Sequence, residues 1–245
     1  MTCVSDAVRR TKRALDLFAA ALGLATTLPL YPAIAAAIWL DSPGPLFYRQ
    51  RRAGRLLYRP PDPAEPFVFE EFEMLKFRTM CADAESRSGA VLAEVGDARV
   101  TRVGRLLRRF RIDELPQFWN VLRGEMSLVG PRPERPELLA NLALAIPFFE
   151  ERLREVKPGI TGLAQVHLGY AGQPPPESPV AELKDGLVNP FRLAEAEGAD
   201  ADHMRLKLLY DLAYAAALER FSTYLRTELE VILKTPLVMV LGRGY

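Results

Sequence analysis

Twenty-four consecutive residues, Leu17 to Leu40, carry no charge. As a straight α-helix they would reach roughly 36 Å, enough to cross a hydrocarbon core of about 30 Å. Two features oppose a simple crossing. Pro29 and Pro32 fall in the middle of the run, where each removes a backbone donor and clashes with the preceding turn, so the helix should bend or break there. Both flanks are basic, with Arg9, Arg10, Lys12 and Arg13 before and Arg49, Arg51, Arg52 and Arg55 after, and basic flanks belong in the cytoplasm. A Pro-kinked, re-entrant helix over 14–40, dipping into one leaflet and returning, satisfies both signals. Two alternatives stay open. One is a signal peptide with an apolar stretch from Leu17 to Leu28 and small residues at Ala33-Ile34-Ala35, opposed by the Arg-rich sequence that would then have to be translocated. The other is an ordinary single span.

The chain of 245 residues is 49% hydrophobic and 26% charged, with a mean hydropathy of -0.01. That length supports one domain with a real core, read as a single unit over 1–245. Too much is apolar for intrinsic disorder and too much is charged for a polytopic transporter. A net charge of +1 argues against a dedicated nucleic-acid binder. Cys3 and Cys81 are the only cysteines, so neither a disulfide framework nor a cysteine zinc site can form, and a reducing compartment is expected. The neutral total is uneven along the chain: residues 1–60 have nine basic side chains and three acids, 99–111 six arginines and no acid, and 177–202 seven acids against Lys184 and Arg192. Positive charge kept beside apolar segments suits an anionic membrane surface.

Periodicity and turn residues give an α+β chain that is mostly helical. Asp41-Ser42-Pro43-Gly44-Pro45 reads as the turn ending the membrane segment. Leu46-Phe47-Tyr48 and Phe67-Val68-Phe69 read as short strands of a small β-hairpin with a long Pro-rich loop. Residues 99–111 predict an amphipathic helix with Val100, Val103, Leu107 and Phe110 on one stripe. That stripe suits either lipid contact at the membrane interface or packing on the domain core. Leu115, Phe118, Trp119 and Leu122 fall at helical spacing, with Asp113 as the expected N-cap, Pro116 in the first turn and Gly124 as the stop. Gly130-Pro131-Arg132-Pro133 is a rigid turn that holds Arg132 extended. Helices are expected over 136–147 and 148–157, a tight glycine turn over 158–162, a flexible acidic loop over 172–202, and a mostly helical segment over 203–241.

Asp113 and Glu114 are the carboxylates with chemical promise. An adjacent pair at the irregular start of a helix can serve one site, where free N–H groups and the dipole favour anions. Such an oxygen-rich pair suits Mg2+ and nucleophilic attack on phosphorus. The bland alternative is that Asp113 is only a cap. Lys76, Arg78, Arg108, Arg111 and Arg132 offer positive charge for a diphosphate, and arginine's fork binds phosphate oxygens in pairs.

Several motifs occur in one order: Lys12-Arg13 with Asp16 before the apolar run, Asp41 to Pro45, Lys76-Phe77-Arg78-Thr79-Met80, Asp113 to Gln117, Asn120-Val121-Leu122, Met126 to Pro133, and Lys157 to Gly162. Over about 10–170 and again over 205–245 the chain resembles the bacterial sugar transferases, the monotopic polyprenyl-phosphate phosphoglycosyl transferases. The resemblance implies a monotopic enzyme on the cytoplasmic face of the bacterial inner membrane, with interfacial amphipathic helices. Its activity would be transfer of a sugar-1-phosphate from a UDP-sugar to a polyprenyl (undecaprenyl) phosphate, releasing UMP, as the first membrane step of exopolysaccharide, capsule, O-antigen or glycoprotein assembly. It further implies Asp113 as nucleophile forming an aspartyl-phosphosugar, with Mg2+ alongside and Glu114 as its acid/base or metal-orienting neighbour. Lys76, Arg78, Arg108, Arg132 and Asp211 fall in the phosphate- and substrate-binding set, and Pro158, Gly159, Thr161, Gly162 and Gln165 in a nucleotide-contacting turn. The oligomeric state is open between a monomer and a homodimer.

The chain departs from the family pattern in places. Leu28-Pro29 stands where Ser-Pro is common, with Thr26, Thr27 or Pro32 left to assist the kink, Leu163 replaces a frequent tryptophan, His167 an asparagine and Arg111 a serine. Stretches 56–66 and 172–202 look inserted. Two rival functions remain from the sequence, a non-catalytic membrane-anchored scaffold and a glycosyltransferase that releases UDP.

Overall fold

The computed structural model describes residues 4–62, 65–81, 97–168 and 201–240. Helix α1 spans Asp6–Thr27, capped by the Ser5 hydroxyl, which accepts from the Val8 N–H at 3.3 Å. A 3-10 turn over Leu28–Leu30 interrupts it, and helix α2 follows over Tyr31–Asp41. The interruption coincides with Pro29 and Pro32, as their missing donors require. Thr26 and Thr27 add to it: their hydroxyls donate to the Leu22 and Gly23 carbonyls at 2.9 and 2.6 Å, a back-bonding that bends helices. Phe18, Leu22, Leu28, Leu30, Trp39 and Leu40 are exposed. By length and composition Asp6–Asp41 could cross a membrane.

Only one stripe of α1 is buried, Val8, Lys12, Asp16 and Ala20, the four-residue spacing of a helix face. Its two charged members are fully engaged. Lys12 Nζ donates to Glu228 Oε1 at 2.8 Å and to the Val129 carbonyl at 3.0 Å. Asp16 accepts from Ser127 Oγ at 2.9 Å and from the Leu128 N–H at 2.8 Å. Beside them Arg13 donates to the Val121 and Leu122 carbonyls at 2.7 and 2.9 Å. Helix α2 turns Tyr31, Ile34 and Ile38 toward Phe77, Leu107, Ile112 and Leu115. Both ends of the apolar segment therefore rest on the same folded body.

Strands β1 (Phe47–Tyr58) and β2 (Val68–Phe77) pair antiparallel, Phe47 opposite Phe77, with irregularities between Ala53 and Tyr58. The hairpin is the expected one, but far longer than the two three-residue strands anticipated, and 56–58 belong to its first strand. Alternating Arg and Glu hid it, because they pair across its exposed face as Arg49–Glu73, Arg51–Glu71 and Arg55–Glu70. Helix α3 spans Arg102–Arg109 after the Thr101 cap. Val100 and Leu107 are buried and Val103 packs beside them, so this stripe faces the core. Phe110, the last member of that predicted stripe, lies just past the helix and is exposed, as is Leu106 within it.

A 3-10 turn, Ile112–Glu114, precedes helix α4, Gln117–Arg123. The helix thus starts three residues later than expected, with its N-cap at Pro116 and not at Asp113. Asn120, wholly buried, accepts from the Leu75 N–H at 3.0 Å and donates to the Glu73 carbonyl at 2.7 Å. Its amide extends the ladder of β2 onto α4. Short strands β3 (Ser127–Val129) and β4 (Gly159–Thr161) pair in parallel, so part of the predicted glycine turn is a strand. A Cβ on Gly159 would lie 2.1 Å from the Gly130 nitrogen, and one on Gly162 2.3 Å from the Gly130 carbonyl, which leaves room only for glycine. Helix α5 is Pro136–Ala145, and the helix expected over 148–157 is a 3-10 turn over Phe149–Leu153. Helices α6 (Leu163–Leu168), α7 (Ala201–Ala217) and α8 (Phe221–Val240) complete the described fold. Of the predicted acidic loop, 172–200 lie outside the described residues and 201–202 begin α7.

The Lys12–Glu228 pair tests how the apolar segment is held. Lys12→Met strands a buried carboxylate and is expected to destabilise the protein by about 3–5 kcal/mol. The Lys12→Met/Glu228→Met double variant should recover most of this, because Tyr214 still donates to the Val129 carbonyl at 3.0 Å. Chemical denaturation in detergent measures both.

Candidate active site

Glu114 is the electrostatic centre of a dense cluster of opposed charges around the carboxylate pair. Its Oε1 accepts from Lys76 Nζ at 3.0 Å and from Arg132 Nη2 at 3.0 Å, and Arg111 Nη1 lies 3.5 Å away. The three cations come from separate places. Lys76 stands near the end of β2, next to Leu75, whose N–H the Asn120 amide oxygen accepts. Arg132 projects from the Pro-flanked segment after β3. Arg111 occupies the join between α3 and the 3-10 turn, with a left-handed φ of 55°, a conformation that costs a non-glycine residue energy and marks functional sites. Burial alone would raise Glu114's pKa, but Lys76, Arg132 and Arg111 outweigh it and hold the carboxyl far below its usual range. Lys76 is pulled down by burial, with Glu114 opposing.

Asp113 differs from its neighbour. Its Oδ1 is buried with no hydrogen-bond partner, and burial together with the adjacent Glu114 charge raises its pKa against the pull of Lys76, Arg111 and Arg108. Buried polar atoms are almost always satisfied, so an orphaned carboxylate oxygen calls for a ligand or a reaction. A second orphan sits four residues on, the Gln117 side-chain nitrogen. Gln117 was not singled out from the sequence, though its place one helical turn after Asp113 was the available signal.

Five of the expected residues thus fall together or adjoin: Asp113, Glu114, Lys76, Arg132 and, as a charge felt by Asp113, Arg108, whose Nε donates to Thr79 Oγ1 at 2.8 Å. Two others do not. Arg78 donates to the Pro45 carbonyl at 2.6 Å and to Ser42 Oγ at 2.9 Å, anchoring the turn after α2. Asp211 is buried behind Arg132 against Arg152. The stretch Pro158 to Gln165 is tied inward: the Pro158 carbonyl accepts from the Ser127 N–H at 2.9 Å, Thr161 pairs with Thr235 at 2.8 Å, and Gln165 donates to the Ile160 carbonyl at 3.3 Å. Among the described residues no group of three or more carboxylate, His or Cys side chains converges. The donor that fits Mg2+ is Asp113, through its orphaned oxygen, since Mg2+ commonly takes one protein carboxylate and completes its shell with water and phosphate oxygens.

Residues 7–242 match the family model described as bacterial sugar transferase. The chain belongs to the bacterial sugar transferase family. It is 37% identical over 233 residues to the UDP-N-acetylgalactosamine-undecaprenyl-phosphate N-acetylgalactosaminephosphotransferase of Aeromonas hydrophila, covering 95% of this chain and 44% of the relative. It is 48% identical over 160 residues to the UDP-glucose:undecaprenyl-phosphate glucose-1-phosphate transferase of Caulobacter vibrioides, covering 65% of this chain and 55% of the relative. With the protein of that same name from Escherichia coli the identity is 40% over 172 residues, 70% of this chain and 34% of the relative. The chain therefore spans about half or less of the length of these relatives. The segments around Lys76, Asp113 and Arg132 all lie within the matched residues, and the fold brings them to one place.

The raised pKa of Asp113 has a thermodynamic consequence. A carboxyl whose pKa is higher in the folded than in the unfolded state opposes folding once it is ionised, and the penalty vanishes below the unfolded value near ~3.9. Asp113→Asn is expected to raise Tm at neutral pH, with the gain disappearing as the pH falls through that value. Thermal melts of both proteins across pH measure it.

Proposed function

We propose that this chain transfers a sugar-1-phosphate from a UDP-sugar to a polyprenyl phosphate by a ping-pong route through Asp113. A carboxylate oxygen of Asp113 attacks the sugar-bearing phosphorus of the diphosphate. The bond to the bridging oxygen breaks, and UMP leaves with that oxygen and the electron pair. A phosphate oxygen of the lipid then attacks the same phosphorus, giving the polyprenyl-diphosphate-sugar and regenerating Asp113. The observation that carries this reading is the orphaned, buried Asp113 oxygen beside three cations gathered on Glu114.

The chain's residues divide the work by charge. Glu114, kept ionised by its three cations, cannot readily share a proton with Asp113, so it serves as counter-ion and raises Asp113's basicity. Arg132 is the most accessible of the three cations, its side chain 32% exposed, and it can turn its fork to the entering diphosphate. Lys76 and Arg111 stay with Glu114 and supply positive potential where charge accumulates on the phosphoryl oxygens. Gln117 offers an amide donor one turn from the nucleophile. Mg2+, when held by Asp113 together with the diphosphate, would neutralise the charge of the leaving UMP. The relatives' names point to UDP-N-acetylgalactosamine in one case and UDP-glucose in others, and this chain's donor lies in that class of UDP-hexoses.

The same reading makes α1 and α2 a re-entrant pair on the cytoplasmic face of the bacterial inner membrane. What supports it is the anchoring of both ends on one folded body, through Lys12 and Asp16 before the break and through Asp41, which accepts from the Val103 N–H at 2.8 Å, after it. Exposed Leu106, Phe110 and Trp119 beside Arg102, Arg105 and Arg109 suit the interface of an anionic lipid surface.

Two experiments test these statements. A panel of UDP-sugars with undecaprenyl phosphate and Mg2+ should release UMP with at least one donor, and Asp113→Asn should release none above background. Without acceptor, mass spectrometry should find the sugar phosphate on the peptide bearing Asp113. Turnover retained in Asp113→Asn removes the nucleophile, and UDP in place of UMP makes the enzyme a simple glycosyltransferase. For topology, single cysteines placed at Arg9 and Arg55 in a variant lacking Cys3 and Cys81 should label from the same side of the membrane, and opposite sides would restore an ordinary span.

A further inference from the structure

A carboxylate repels phosphate, so Asp211 can belong to a phosphate-binding set only through an intermediary. The structure supplies one. Asp211 is 2% exposed and Arg152 1% exposed. Asp211 Oδ2 accepts from Arg152 Nε at 2.8 Å and Nη2 at 2.7 Å. The Arg152 guanidinium also lies over the Phe149 ring, 4.9 Å from its centre, and its Nη2 donates to the backbone carbonyl of Arg132 at 3.1 Å. That bond is one of four. The Pro131 carbonyl accepts from the Gly159 N–H at 2.9 Å, the Pro133 carbonyl from Arg52 Nη1 at 3.0 Å, and the Glu134 carbonyl from the Ala53 N–H at 3.0 Å.

Every carbonyl from Pro131 to Glu134 is thus held from outside the segment. Pro131 and Pro133 have no N–H of their own and fix φ, so the carbonyl bonds are what set the position of the backbone between them. The clamp's members come from β1, β4 and the 3-10 turn over Phe149–Leu153, and Asp211 reaches it from α7.

We infer that Asp211 and Arg152 are positioning residues for Arg132: Asp211 orients the Arg152 guanidinium, and Arg152 fixes the carbonyl of Arg132 so that its side chain meets Glu114 and the substrate's diphosphate. This rests on the proposed function for what Arg132 contacts, but the arrangement makes its own prediction. Arg152→Lys keeps a charge for Asp211 while a single ammonium on a flexible stem cannot reproduce the guanidinium's fixed fork. The buried pair survives and the hold on Arg132 is lost.

The experiment is a double-mutant cycle in the full-length, detergent-solubilised protein. The variants are Arg152→Lys, Asp211→Asn, Arg132→Lys and the two pairs with Arg132→Lys. Initial UMP release gives kcat and KM for the UDP-sugar, and thermal melts give the folded fraction. Arg152→Lys should keep a Tm near wild type and lose roughly 10- to 100-fold in kcat/KM, the scale of a small misplacement of a binding group. On the Arg132→Lys background the same change, or Asp211→Asn, should cost less than threefold, because the group it positions is already altered. Full multiplicative losses there would overturn the inference and put Asp211 or Arg152 on the substrate itself. A lowered Tm with wild-type kcat/KM per folded molecule would also overturn it, leaving a purely structural pair. Absence of UMP release from the wild type is a separate outcome that removes the proposed function. Binding of a UDP-sugar to Asp113→Asn protein, with and without Arg152→Lys, then reads the clamp without turnover: weaker binding supports it and unchanged binding overturns it.

Discussion

One carboxylate oxygen, Glu114 Oε1, gathers cations from three separate parts of the chain. Lys76 arrives on a strand, Arg111 on a strained left-handed residue and Arg132 on a Pro-flanked segment. Like charges at that spacing repel strongly in a poorly solvated site, so without Glu114 the cluster would not be stable. The surrounding fold is arranged to bring the partners in: Asn120 ties β2 to α4 and so fixes Lys76 above the 3-10 turn, and the glycines at 130, 159 and 162 let β3 and β4 approach closely enough to aim the segment carrying Arg132.

The apolar N-terminal segment obeys the same logic of few, buried, directional contacts. Apolar side chains around α1 and α2 give no preferred orientation in lipid, since all faces are alike to a hydrocarbon solvent. Orientation comes from the polar members of the single buried stripe, where Lys12 and Asp16 are paired with Glu228, Ser127 and backbone groups. A buried ion pair adds little net stability but penalises any misplacement, which makes it a register device more than a source of affinity. Here it fixes the rotation of α1 about its axis, and that rotation sets how α2 meets Phe77, Leu107, Ile112 and Leu115 after the break.

Much of this was legible in the sequence wherever one residue type has one dominant physical consequence. Pro29 and Pro32 break the helix, Gly124 ends α4 in a left-handed conformation, and the Pro-Arg-Pro segment stays extended. The carboxylate pair and the cations Lys76 and Arg132 were found as residues, and the family resemblance joined them. What could not be read was pairing across distance. The Arg and Glu residues of the hairpin look like solvated charge until the strands are aligned. The stripe on α3 fits lipid and core equally well by periodicity, and only the neighbours Phe77 and Ile38 decide for the core. Asp113 looks like a cap because Asp before an apolar run usually is one, and the αL residue Arg111, which shifts the helix start to Pro116, has no sequence signature. Asp211 and Arg152 are 59 residues apart, and nothing local marks them as partners.

The two adjacent acids end with opposite properties because their surroundings differ by one turn of backbone. Glu114 points into the cations and is held ionised. Asp113 loses water to burial and feels its neighbour's charge at close range, and these outweigh the pull of Lys76, Arg111 and Arg108, so its own ionised form is the costly one. A carboxylate that is expensive to ionise and whose buried Oδ1 has no donor would, in the proposed attack, be a more basic, less solvated nucleophile than an ordinary aspartate, and the free energy released on bonding to phosphorus would include relief of that cost. The cations do not cancel this, because Glu114 already occupies them. In the proposed route, a diphosphate that drew Arg132 toward itself would take a partner from Glu114 and strengthen its field on Asp113. Substrate binding would then raise the basicity of the attacking group as the phosphorus comes within reach.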